Sequence, residues 1–195
     1  MLLSTTYLGP VSYYQAMVSA ETIELEAWES WQKQSYRNRC YIDSPNGRLM
    51  LSIPVQASST GLVKDVRISY KDNWPQKHWQ AIKTTYNTSP FFEVLGPDIN
   101  TVYNKRPRFL WDLNYELMQI VLDWLQHTVK IKMTGSWQEN RENDLRESFH
   151  PKRESTPLQV YPQVFDHKNN FLSNLSVIDL LFNEGPAAPG YLKRL

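Results

Sequence analysis

The chain has almost no cysteine, almost no net charge and no long apolar run, and each shortage removes a class of function. Cys40 is the single cysteine among 195 residues. It excludes an internal disulfide and a multi-cysteine metal site, leaving a buried thiol or a lone nucleophile. The formal charge of +1 supplies no overall field for nucleic acid, because neutralising several phosphates takes a basic face or stripe. A polyanion site would have to be local. No segment approaches the roughly 20 apolar residues of a transmembrane helix. Residues Met1 to Tyr7 also lack the basic region and apolar core of a secretory signal, so a cytoplasmic protein without a membrane span is expected. The histidines (His78, His127, His150 and His167) are not spaced as ligand pairs on one helix face, so no metal site is predicted. No motif identifies a cofactor.

What is present suits a folded domain. A chain of this length buries roughly 70% of its unfolded surface, so one domain over residues 1–195 is expected. Apolar residues make up 41% of the chain and charged residues 21%, enough burial to offset chain entropy. Aromatics reach 13% with seven Trp. Such large rings need core or partner-covered surface, which makes homo-oligomerisation an open expectation.

Met1 to Tyr7 reads as a strand, Leu8-Gly9-Pro10 as a tight turn and Val11 to Ala20 as a helix. Thr22 to Ala27 alternates as a second strand, completing an open, Rossmann-like β-α-β unit. Ser44-Pro45-Asn46-Gly47 sits between Tyr36–Ile42 and Leu49–Val55, and Asn-Gly favours a hairpin turn. Val63 to Ser69 suggests one more strand, after which the β content is expected to end. Asn73 is placed to cap a helix carrying Trp79, Ile82 and Tyr86 on one face, ended by Pro90. A second helix carries Leu113, Leu117, Ile120, Val121 and Trp124, with Asp112 as its cap. Gln138 to Pro157 is polar with few apolar anchors and is expected to be a mobile loop within the domain. Near the C-terminus, Ser176 and Asp179 stand at capping-box spacing before an apolar run and a Gly-Pro stop. The fold class is α/β or α+β, with a mainly helical C-terminal half.

Lys33, Arg37, Arg39, Lys64 and Arg67 concentrate in two β-rich segments. Arg37 and Arg39 share a face if their strand is regular. Arg forks match phosphate or carboxylate oxygens and Lys adds a mobile point charge. Together they form a candidate anion site for a nucleotide-sugar, an acyl thioester or another phosphorylated donor; the alternative is a solvated face with ordinary ion pairs to residues such as Asp65. Gly9 is a second candidate, because the helix after it would aim free N–H groups beyond the first strand. The turn is similar in outline to that of nucleotidylyltransferases with a His-x-Gly-His motif, although no histidine flanks Gly9. Tyr7, Tyr13 and Tyr14 cluster there, as stacking surfaces for a ligand ring or as core.

Four motifs stand in the order found in WbqC-like proteins: Tyr7-Leu8-Gly9-Pro10-Val11-Ser12-Tyr13-Tyr14, Gln32-Lys33-Gln34-Ser35-Tyr36-Arg37-Asn38-Arg39, Lys64-Asp65-Val66-Arg67-Ile68 and Asn73-Trp74. Ser89-Pro90-Phe91-Phe92, Tyr161-Pro162-Gln163-Val164-Phe165 and Asn174 to Pro186 continue the match. The chain therefore resembles the bacterial WbqC-like family over most of its length, most closely its Bacteroidetes-type version. The family takes its name from a member in an O-antigen gene cluster. The resemblance thus implies surface-polysaccharide biosynthesis, as a sugar-modifying or donor-transferring enzyme or as a non-catalytic scaffold of the pathway. It does not imply a reaction, and no catalytic residue is assigned.

Overall fold

The computed structural model describes residues 1–56, 58–139, 142–153 and 158–193. Strand β1 (Leu2–Leu3), helix α1 (Val11–Val18) and strand β2 (Thr22–Leu25) form the expected first unit, with β1 and β2 parallel. Leu3, Val11, Met17, Ile23 and Leu25 are all buried, so both sheet and helix face the core. The Asn46-Gly47 turn joins antiparallel β3 (Arg39–Ile42) and β4 (Leu49–Ser52), and Gly47 takes the positive φ of 94° that such a turn requires. A short antiparallel pair follows, β5 (Val55–Gln56) with β6 (Arg67–Ile68). Strand structure in β3 begins only at Arg39, so Arg37 lies outside the alternation that was expected to align the two arginines.

Helices α2 (Trp74–Tyr86), α3 (Phe92–Lys105) and α4 (Leu110–Trp124) make up the centre of the chain. The sequence reading has no counterpart for α3, which carries Gly96 and Pro97 in its interior. Pro97 is the sixth residue of the helix, where it cannot donate to the Glu93 carbonyl. Gly96 is needed where it stands, since a Cβ there would lie 2.7 Å from the Phe92 ring. The expected caps are differently used. Asn73 and Ser176 make no side-chain cap bond, and Asp112 lies inside the first turn of α4 after the true cap position, Phe109. Ser176 instead donates to the Leu8 carbonyl at 2.7 Å.

The β content does not end at Ser69. Strand β7 (Lys130–Met133) pairs parallel with β2 from Thr22↔Lys130 to Leu25↔Met133, giving the order β1-β2-β7. Its Lys-Ile-Lys-Met sequence is mostly exposed, and such a short edge strand leaves little apolar signal. Beyond β1, residues 143–145 run parallel to the sheet: Leu2 donates to Asn143 and Leu145 donates to Leu2. The segment expected to be mobile, 138–157, lies partly outside the described residues at 140, 141 and 154–157. Helices α5 (Asp166–Asn169), α6 (Val177–Glu184) and α7 (Ala188–Lys193) complete the chain. Among the described residues, no helix is long and apolar enough to cross a membrane.

Candidate functional site

In an open parallel sheet, ligands bind beyond the carboxyl ends of the strands. Here four parallel segments deliver polar side chains to that edge. Ser4 follows β1, Glu26 and Glu29 follow β2, Thr134 and Trp137 follow β7, and Arg146 and Glu147 follow residues 143–145.

Glu26 is fully buried and organises the loops around it. Its Oε1 accepts from the Thr134 hydroxyl at 2.8 Å and the Trp28 amide at 2.9 Å. Its Oε2 accepts from the Gln138 amide at 3.0 Å and from Arg146 at 3.3 Å. Arg146 also forks onto Asp144 and donates to the Gln138 carbonyl at 2.8 Å. The bonds it donates to Asp144 raise the pKa of the Arg146 guanidinium. That guanidinium lies 4.3 Å from the centre of the Trp137 ring.

A second buried network adjoins the first. Arg37 donates from Nε to Glu29 Oε1 at 2.8 Å and from a terminal nitrogen to Glu29 Oε2. The same nitrogen donates to the Ser4 hydroxyl at 2.9 Å, which in turn donates to Glu29. Arg37 reaches Gln32 Oε1 at 3.3 Å, and Gln32 donates to Glu147 at 2.9 Å. A cleft of about 520 Å³ opens over these groups, lined by Glu29, Gln32, Asp144, Arg146, Glu147 and Trp137 among others.

Withdrawing a charge from water costs several kcal/mol per ion, and apolar side chains of similar volume often stabilise a core as well or better. A buried charged floor at strand ends therefore contributes little net stability. A cavity of about 620 Å³ between the β3–β4 turn and α2 has no such floor, being lined by neutral side chains and Lys77.

The residues singled out from the sequence are distributed around this framework. Arg37 is buried and bonded to two residues that line the cleft, Glu29 and Gln32, and Lys33 is exposed next to Gln32 in the chain. Arg39 opens β3 with its Nε buried and no hydrogen-bond partner for it among the described residues. Lys64 pairs with Asp65 at 3.2 Å and lies 4.5 Å over the Trp28 ring. Arg67 is exposed in β6.

At the first turn, a Cβ on Gly9 would come within 2.5 Å of the Thr6 hydroxyl, so the chain packs tightly there. The N–H groups opening α1 are used internally. Val11 donates to the Leu175 carbonyl and Ser12 to Asn174 Oδ1, both at 2.9 Å. Tyr7, Tyr13 and Tyr14 are buried. The Tyr7 hydroxyl lies 2.9 Å from His78 Nδ1 and hydrogen-bonds Tyr103, while Tyr13 donates to the Ser4 carbonyl at 2.8 Å. Burial raises the pKa of each hydroxyl and lowers that of His78 to about 4.

Asp179 does not serve as a capping side chain. It is fully buried and accepts from Tyr86 and Tyr161, each at 2.7 Å, and from Gln163 at 2.8 Å. Burial lifts its pKa to about 6 against the opposing pull of those donors.

Glu26, Glu29, Thr134, Trp137 and Arg146 were missed by sequence reasoning. The usable signal was positional, since Glu26 stands at the end of the strand expected over Thr22 to Ala27 and Glu29 just beyond it. The partners from 134–147 were hidden because β7 was.

These features define an α/β protein with a charged cleft at the carboxyl edge of a small parallel sheet. The model of the WbqC-like protein family matches residues 5–156, and the chain belongs to that family. It is 20% identical to "Uncharacterized protein Rv1507c" of Mycobacterium tuberculosis over 225 residues, covering 98% of this chain and 96% of that one. No solved structure matches the chain.

Proposed function

We propose that this protein is a cytoplasmic group-transfer enzyme of bacterial surface-polysaccharide biosynthesis that acts on a phosphorylated or nucleotide-linked sugar at the strand-end cleft. One observation carries the reading: the segments that follow β2 and β7 and the one around residues 143–147 converge on a cleft backed by two buried guanidinium–carboxylate networks. Such preorganised polar groups hold a substrate at little reorganisation cost. Membership of the WbqC-like family agrees with the pathway. Lys33, exposed beside Gln32, supplies a mobile cation for the phosphorylated end of the ligand.

A calorimetric and thermal-shift screen tests this with nucleotide-sugars, sugar phosphates and coenzyme A thioesters against the wild type, Lys33→Ala and Gln32→Ala. A ligand of the class raises the unfolding midpoint as its concentration passes Kd. Lys33→Ala is expected to weaken phosphorylated ligands, and Gln32→Ala to weaken those that enter the cleft. If no phosphorylated ligand binds at millimolar concentration, the reading fails.

A further inference from the structure

The cleft carries a second kind of information in its one large apolar surface. Trp137 lines it and keeps 52% of its area exposed, more than Trp28, the other exposed tryptophan. One side of the indole is covered by Arg146, which is itself fixed by Glu26, Asp144 and the Gln138 carbonyl. The ring is therefore held in place before any ligand arrives, and little ordering entropy is left to lose on binding. Around it stand groups that exchange hydrogen bonds with hydroxyls: the Gln32 amide, the exposed Glu147 carboxylate and Ser30.

A flat apolar platform bordered by carboxylate and amide matches one common ligand shape. A pyranose ring shows a face of C–H bonds, weakly electropositive and suited to the negative face of an indole. Its rim shows hydroxyls that donate to carboxylates and accept from amides. The charge balance narrows the choice. Glu29 is paired with Arg37 and Asp144 with Arg146, which leaves the exposed Glu147 carboxylate to face a ligand, so an acidic sugar would meet like charge. We infer that Trp137 seats a neutral pyranose ring, whose hydroxyl edge is bound by Gln32 and Glu147. This rests on the function proposed above and specifies which part of that substrate enters the cleft; the phosphorylated end stays outside it.

The test is calorimetric titration of the full chain with methyl glucopyranoside, methyl glucuronopyranoside, uridine diphosphate and uridine diphosphate glucose, on the wild type, Trp137→Ala and Trp137→Phe. Methyl glucopyranoside is expected to bind at millimolar concentration and methyl glucuronopyranoside about tenfold more weakly, the factor that corresponds to one lost contact of ordinary strength. Trp137→Ala is expected to lose about tenfold in affinity or more for the neutral glycoside, and Trp137→Phe to keep most of it. Unfolding midpoints show whether either variant is misfolded. The aromatic replacement keeps the comparison meaningful if the alanine variant is.

Equal glycoside binding by wild type and Trp137→Ala would overturn the inference, as would tighter binding of the glucuronide. If uridine diphosphate and its glucose conjugate bind alike while no methyl glycoside binds, the phosphorylated-donor reading stands and the sugar seat falls. If the neutral glycoside binds through Trp137 while no phosphorylated ligand does, the seat stands and the donor reading falls.

Discussion

Arg37 grips Glu29 with two nitrogens, one on each carboxylate oxygen, and the two side chains are only 4% and 6% exposed. The pair is nearly cut off from solvent. Removing one member strands a charge in the interior, which typically costs about 3–5 kcal/mol. Arg37→Met and Glu29→Leu should each lower stability by about that amount in urea unfolding. The double variant should recover most of the loss, because no charge is then left unpaired.

Thr134 ties β7 to the loop after β2, donating to Glu26 and accepting from the Ala27 amide at 3.1 Å. Thr134→Val keeps the shape and removes both bonds. A cost of about 1–3 kcal/mol is expected for leaving buried polar groups unsatisfied. The Ala27 amide should exchange faster with solvent in the variant, a local effect readable by NMR.

Two buried groups titrate against each other in opposite senses. Asp179 has its pKa raised from 3.8 to about 6. Its stabilising contribution is complete below about pH 4 and is lost as pH rises through 6. His78 has its pKa lowered from 6.5 to about 4, so its contribution is complete above pH 6.5 and is lost as pH falls through 4. Each is worth roughly 3 kcal/mol. Between pH 4 and 6.5 they offset one another. Relative to wild type, Asp179→Asn should lose stability as pH falls across this window and His78→Gln should gain it. Urea midpoints at pH 4.5, 5.5 and 6.5 give the two slopes, and slopes of the same sign would contradict the assignment.

Gly185 ends α6 with a positive φ of 49°, and a Cβ there would lie 2.5 Å from the Phe91 ring. Gly185→Ala meets both backbone strain and overlap with a packed aromatic. Each effect costs on the order of 1 kcal/mol or more. A drop of at least about 2 kcal/mol is expected in thermal or urea unfolding.

Local signals made parts of the fold legible in the sequence. The β1-α1-β2 unit followed from a Gly-Pro turn between apolar segments, the β3–β4 hairpin from Asn-Gly, and α6 from an apolar run closed by Gly-Pro. α3 and β7 were not legible. Gly96 of α3 answers to the Phe92 ring, a contact that no local pattern announces, and β7 becomes a strand by pairing with β2 rather than through its own residues. The cleft shared that fate. Arg37 stood out as a cation, yet its partner Glu29 looked like any acidic residue, and Arg146 sat in a stretch whose composition suggested only a loop. Glu26 and Arg146 meet across 120 residues and leave no spacing to recognise, while Glu29 and Arg37, 8 residues apart, share no helix that would make their spacing informative.

The same separation bears on how the protein comes to be made. The pairing of β2 with β7 joins Thr22 to Lys130, and closing so long a loop carries an entropic cost that local hairpins and helices avoid. During synthesis the first half of the chain can form its hairpin and helices while one edge of β2 still waits for a partner. Neither that edge nor the cleft is complete until residues 130–147 have emerged. Shortened chains ending before them should expose an unpaired strand and aggregate, and the cell would have to keep the nascent protein from sticking until its own last neighbour arrives.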